Sequence, residues 1–356
     1  MNDRFTVTYR VQSDAASIAA RAQAIAVEQS VEMPLAAIDD PAVLRDIVGT
    51  VEDIADRGGG AFDVRIGLAS ATVQADAAQL LNMAFGNSSL QPDVTLIGLE
   101  KPPGFGGPRH GIAGLRARAG ASGRALTGAA IKPQGLPVHR LSELVARFAE
   151  GGIDLIKDDH GLADQAFSRF AERVPVCAAA ARRAGHALYV PSLSGDLDAL
   201  RRQARLARDE GLAAVMVAPQ LAGLANLQAL GREFPDLVLL AHPTLGGAAR
   251  IAPEVLIGEV FPLVGADAVI FPNYGGRFGY SEARCRAIAG AARAAGALPV
   301  PAGGMTLARV PELLGFYGAV VMLLIGGNLL LARDDLAAAS RRFADAVRDF
   351  RHGDAI

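Results

Sequence analysis

The chain has 356 residues, 51% of them hydrophobic, with 35 basic and 37 acidic side chains and a formal net charge of −2. That length supports one large domain and a smaller one, each around its own core. The absence of any basic block excludes a nucleic-acid surface, and the longest apolar run, GAVVMLLIGGNLLLA, is too short and too glycine-broken to span a bilayer.

In chain order, the opening MNDRFTVTYRVQ lacks the apolar segment of a secretory signal. Cys177 and Cys285 lie far apart without ligand spacing, so a reducing, cytoplasmic location is expected. FTVTYRV alternates like a half-buried strand, and AASIAARAQAIAVEQ has helical spacing. AFDVRIGLA reads as a second strand, DAAQLLNMAF as a second helix and DVTLIGLE as a third strand. Residues 1–105 are therefore expected to form a small α+β domain. KPPGFGGPRHG then breaks the pattern with glycine and proline.

From residue 106 to 356 short apolar runs recur: ALTGAAIKP, GIDLIKDD, ALYVPS, AAVMVAP, LVLLAHP, DAVIFPN, LPVPAGG and VVMLLIGG. Helical segments such as LDALRRQARLARDEG separate them. Strands alternating with helices over about 250 residues predict a (β/α)8 barrel, whose C-terminal strand ends carry the active site. Several runs end in polar or turn residues there: Lys132, Lys157, His242, Asn273, Gly303-Gly304 and Gly326-Gly327.

The stretch GGIDLIKDDHG is the least ordinary. Four ionisable side chains at a strand end are costly to bury unless paired or bound to something. Lys157 and Asp159, two apart on an extended chain, face the same side. Carboxylate oxygen suits a divalent cation such as Mg²⁺. A lysine joins a ligand set only after losing its proton and capturing CO₂ as a carbamate, because its ammonium has no lone pair. A plain salt bridge at the barrel rim satisfies the same residues. Lysine is scarce, at Lys101, Lys132 and Lys157 alone, so its placement at two strand ends is informative.

GGIDLIKDDHG resembles the G-G-x-D-x-x-K-D-D-E pattern of the ribulose bisphosphate carboxylase family. ALTGAAIKPQGL, PRHGIAGLR, PNYGGRFGYS, LPVPAGGM and LLIGGN resemble further segments of that barrel in the same order, and AIAVEQS and LLNMAFGN resemble segments of its small domain. The resemblance implies a (β/α)8 barrel behind a ferredoxin-like α+β domain. It implies Mg²⁺ on a carbamate of Lys157, on Asp159 and, where the family has glutamate, on His160. Lys132 falls on the enolising base and Gln134 on its companion lysine. Arg277 falls on the lysine that holds CO₂, and His242 on a site histidine. Gly303, Gly304, Gly326 and Gly327 fall on the near phosphate's backbone donors, with Asn273 nearby. Glu28 and Asn82 match small-domain residues that reach a neighbouring subunit's site, implying a homodimer or a multiple of dimers. His110, His139, His186 and His352 match nothing in the site and read as solvated or structural.

The departures imply a RuBisCO-like protein that does not fix CO₂. Pro243 and Ile270 replace an arginine and a histidine at the far phosphate, and Ala302 replaces a serine. A substrate with one phosphate is expected, handled by enolate chemistry. Decarboxylation of a 3-oxo-isoapionate 4-phosphate-like acid is the first expectation. Isomerisation or enolisation of a methylthio-sugar phosphate is the alternative. A non-catalytic sugar-phosphate binder and Schiff-base chemistry at Lys132 stay open.

Overall fold

β1 (Arg4–Gln12) buries Phe5, Val7, Tyr9 and Val11, every second residue, as its alternation requires. The computed structural model describes residues 3–350, so His352 lies outside the described residues. β1 pairs antiparallel with β3 (Ala61–Ala69) and β4 (Val94–Leu99), and β2 (Thr50–Asp56) pairs antiparallel with β3. The sheet order is β2-β3-β1-β4, the order of a ferredoxin-like domain. Helices Ile18–Glu28 and Ala77–Phe85 complete it, the second capped by Asp76, whose side chain accepts from the N–H groups of Ala78 and Gln79. β2 was not among the expected strands. It is an edge strand with no regularly buried face, so its sequence TVEDIAD carries no alternation.

Each of the eight apolar runs forms one strand of a parallel sheet: β5 (Leu126–Ile131), β6 (Leu155–Asp158), β7 (Leu188–Val190), β8 (Ala214–Val217), β9 (Val238–Ala241), β10 (Ala268–Pro272), β11 (Leu298–Ala302) and β12 (Met322–Ile325). Their order is β7-β6-β5-β12-β11-β10-β9-β8. The ends meet where Met216 N–H donates to Pro191 O at 2.9 Å and Leu193 N–H donates to Met216 O at 2.8 Å, closing the barrel. The chain therefore has the expected α/β architecture, a (β/α)8 barrel with an antiparallel α+β domain.

Strand parity divides the barrel into two cores. Leu126, Leu155, Val190, Met216, Leu240 and Ile270 belong to a packed cluster inside the barrel. Their neighbours, such as Ile156, Val215, Leu239 and Phe271, pack outward against the helices. Leu115, on the helix Gly111–Arg118, joins the inner cluster and closes the floor. Buried Asp267 fixes that helix, its Oδ1 accepting from the N–H groups of His110 and Gly111 at 2.7 Å each. The edge of β4 is covered by the barrel: Leu96 N–H donates to Arg250 O at 3.0 Å, and Ala252 N–H donates to Leu96 O at 2.8 Å. Among the described residues no helix is long and apolar enough to cross a membrane.

Candidate active site at the C-terminal mouth of the barrel

The same parity aims the polar strand ends. Leu155 points into the barrel, so Lys157 and Asp159 do too, while Asp158 points out. By the same count Lys132 after β5 and His242 after β9 face the lumen. Lys132 Nζ lies 2.6 Å from Asp159 Oδ1, and His160 Nδ1 lies 3.4 Å from the same oxygen. Lys157 is buried, and its ammonium donates to Asp158 O at 2.9 Å. Burial lowers its pKa to about 8, with the charge of Asp159 working against the fall and that of Lys132 adding to it. Burial also acts on Asp159, but hydrogen bonds from His160 and Lys132 and the charges of both lysines hold it well below the ordinary carboxylate range.

His160 stacks on His242 with ring centroids 4.4 Å apart and planes 14° from parallel. Thr244 N–H donates to His242 Nδ1 at 3.2 Å, and the Thr244 hydroxyl lies 2.5 Å from the same atom. An Nδ1 that accepts leaves the proton on Nε2. Burial, with the charges of Lys157 and His160, lowers the His242 pKa to about 2, so the ring is a neutral donor at ordinary pH.

Asp158 is the outward anchor of the strand. It and Arg173 are fully buried and 3.2 Å apart. Tyr189 Oη donates to Asp158 Oδ1 at 2.7 Å, and Ser192 N–H donates to Oδ2 at 3.1 Å. Arg173 also donates to Ser168 O at 2.7 Å and to Ala163 O at 2.9 Å, tying down the loop that starts at Asp159. Arg173 and Tyr189 went unnoticed in the sequence because an arginine on a helix and a tyrosine in a strand are ordinary there.

The glycines line the wall next to Lys132, since β12 pairs with β5 and β11 with β12. Gly303 and Gly304 have φ of +94° and +64°, a region that favours glycine. A Cβ on Gly326 would lie 3.8 Å from Lys132 Cε, which places that turn beside the lysine. Gln134 lies over Gly161, where a Cβ would meet its Oε1 at 2.3 Å, so it borders the loop after β6. Asn273 is not brought to the lumen. It follows β10 on the outward parity, is buried, and its Oδ1 accepts from Tyr317 Oη at 2.6 Å.

The catalytic-domain model of the ribulose bisphosphate carboxylase large chain matches residues 111–254. A crystal structure of a Rubisco-like protein from Rhodopseudomonas palustris superposes with a TM-score of 0.91 at 50% identity, covering 98% of this chain and 99% of that one. The 5-methylthioribulose-1-phosphate isomerase of Rhodospirillum rubrum is 55% identical over 98% of this chain and 97% of its own length. This chain belongs to the RuBisCO-like branch of the ribulose bisphosphate carboxylase large-chain family. A 2,3-diketo-5-methylthiopentyl-1-phosphate enolase from Microcystis aeruginosa is a more distant relative, 29% identical over 88% of this chain and 85% of its own.

As a RuBisCO-like protein the chain is non-carboxylating, in keeping with the groups it lacks. Arg277, at the place of the CO₂-holding lysine, is exposed, and its guanidinium stacks over the exposed Phe278 ring at 5.0 Å. Pro243, after β9, and buried Ile270, within β10, carry no charge. In the small domain Glu28 Oε1 accepts from Asn87 Nδ2 at 2.8 Å, whereas Asn82 is exposed and bonds Gln79. Asn87, not Asn82, is therefore the asparagine that meets Glu28. The dipeptide Gly86-Asn87 carried that signal, being the nearer match to the Gly-Asn of the family segment.

Proposed function

We propose that this RuBisCO-like protein is an enzyme that enolises and isomerises a monophosphorylated keto sugar carrying a methylthio group. The supporting observation is the polarity of the mouth. One side carries Lys132 and the Gly303-Gly304 and Gly326-Gly327 turns. Toward β9 and β10 the chain has Pro243 and Ile270, and neither offers a charge to a second phosphate. The isomerase and enolase names of its relatives favour this reading over decarboxylation of a 3-oxo sugar acid.

In this reading the glycine N–H groups hold the phosphate, since glycine lets an anion approach the backbone closely. Lys132, as the free amine, takes a proton from the carbon beside the substrate carbonyl, and the ammonium so formed returns a proton at a neighbouring carbon. Asp159, 2.6 Å from Lys132 Nζ, holds that ammonium in place between the two transfers. The neutral His242 offers Nε2–H to a substrate oxygen. A divalent cation, Mg²⁺ first, fits the donor set once Lys157 is a carbamate: a pKa near 8 leaves a minor share of Lys157 as the amine that CO₂ captures, ionised Asp159 is near it, and the His160 imidazole lies 3.4 Å from Asp159 Oδ1. Bound there, it would polarise the carbonyl and stabilise charge developing on its oxygen. Free, buried Cys177 and Cys285 suit a cytoplasmic enzyme.

The test is incubation with 5-methylthioribulose 1-phosphate in D₂O, followed by NMR. Deuterium exchange beside the carbonyl and conversion to an isomer support the reading. CO₂ release from 3-oxo-isoapionate 4-phosphate, with no exchange on the methylthio sugar, would make the enzyme a decarboxylase.

A further inference from the structure

The segment 273–281 after β10 and the Gly303-Gly304 turn after β11 lie against one another. A Cβ on Gly304 would stand 2.8 Å from Gly275 O and 2.9 Å from Gly276 N. One side chain touches both. Arg309, just before the helix Val310–Tyr317, donates from Nη1 to Gly304 O at 2.9 Å and to Tyr274 O at 3.3 Å. Its other edge grips Glu312 in a fork, Nε to Oε2 at 2.9 Å and Nη2 to Oε1 at 2.7 Å. The guanidinium also lies 5.0 Å from the Tyr274 ring centroid. A Cβ on Gly275 would stand 2.9 Å from Arg309 Nη1, so that glycine makes room for the arginine. The far end of the same helix adds a second tie, from Tyr317 to Asn273. Bridging two carbonyls, a carboxylate and a ring at once uses the flat, five-donor fork of arginine, which lysine lacks.

We propose that Arg309 is a positioning residue that holds the segment 273–281 and the Gly303-Gly304 turn as one unit. Filling the turn with an anionic group then also orders the segment. The second half of this inference rests on the reading of the turn as a phosphate site. The first half does not.

Arg277 lies in the segment and is exposed, so trypsin reads the segment's opening, with mass spectrometry locating the cut. The variants are Arg309→Met, Arg309→Lys and Glu312→Gln, and inorganic phosphate is the probe. Losing the two carbonyl bonds in Arg309→Met should speed cutting at Arg277 about fivefold, with a thermal midpoint close to wild type. Phosphate should slow cutting in wild type and leave Arg309→Met unaffected. The KM for the phosphorylated substrate should rise about tenfold while kcat changes by less than about threefold, the mark of lost binding rather than lost chemistry. Arg309→Lys should resemble Arg309→Met. Glu312→Gln, which keeps the arginine, should fall between and decides the matter if Arg309→Met does not fold. Wild-type cutting rates in Arg309→Met or, failing that, in Glu312→Gln would overturn the positioning role. Calorimetry separates the two ideas: if phosphate does not bind wild type while Arg309→Met is still cut faster, the phosphate reading falls and the clamp stands.

Discussion

Lys132 and Lys157 stand at the ends of neighbouring strands with Asp159 between their charges, and their roles separate on mutation. Lys157→Ala and Asp159→Ala should abolish Mg²⁺ binding in calorimetry together with turnover, whereas Lys132→Ala should keep the metal and lose proton exchange. Loss of metal by Lys132→Ala alone would refute that division. Lys157 also links stability to pH. Its folded pKa near 8 lies below its ordinary 10.5, so between those values the folded state binds fewer protons than the unfolded one. Stability should therefore rise with pH across that window, by up to about 3 kcal/mol. Denaturant titrations in CO₂-free buffer should show the rise in wild type and not in Lys157→Met. The lumen-facing residues were legible because each ends an apolar run with a side chain that apolar surroundings reject. Thr244 and Arg309 were not. Their roles lie in contacts with His242 and Gly304 that only the fold creates, and nothing in their own neighbourhoods is unusual.

At the scale of elements, β6 is held by its outward face. Arg173→Met leaves Asp158 buried without its cation and should destabilise the protein by about 3–5 kcal/mol. Adding Asp158→Asn should recover part of the loss, and chemical denaturation of the three variants tests this. An unchanged midpoint for Arg173→Met would mean that water reaches Asp158. The barrel strands could be read directly because a parallel strand buried on both faces is a continuous apolar run. β2 escaped because an exposed edge strand has neither run nor alternation. Asn273 was misread for a related reason. A strand end looks the same on either parity until the register is known, and one residue decides between lumen and helix layer.

For the whole molecule, most of the exposed large apolar side chains fall into two groups, Val176 and Leu221 apart. Met33, Leu35, Leu44 and Leu90 lie on the small domain, which also carries Glu28 and Asn87. Phe167, Leu245, Phe278, Leu307 and Leu331 lie on loops around the barrel mouth. Two such surfaces on one chain suit a two-fold dimer in which each small domain covers its partner's barrel. Mixing inactive Glu28→Ala and Lys157→Ala subunits under exchange tests whether sites are shared. Half of the random dimers are mixed, and each mixed dimer holds one intact site, so activity should return to about a quarter of wild type. Exchange seen by native mass spectrometry without recovery would mean that each site is built within one chain. The expectation of a dimer comes only from family resemblance, because exposed leucines in a sequence do not announce what covers them.

The two-sided construction of the barrel strands has a consequence for laboratory evolution. Side chains that meet the reactants and side chains that hold the wall occupy alternate positions, so they can be randomised separately. A library confined to positions 134, 243 and 277 draws on loops beyond the strand ends, where neither a helix nor a buried ion pair depends on the residue chosen. A library of equal size at 158, 173 and 189 strikes the wall itself. The first should yield mostly soluble protein with altered substrate preference, and the second mostly aggregates. One scaffold can in this way pass between reactions by changing what faces inward while leaving its own folding untouched.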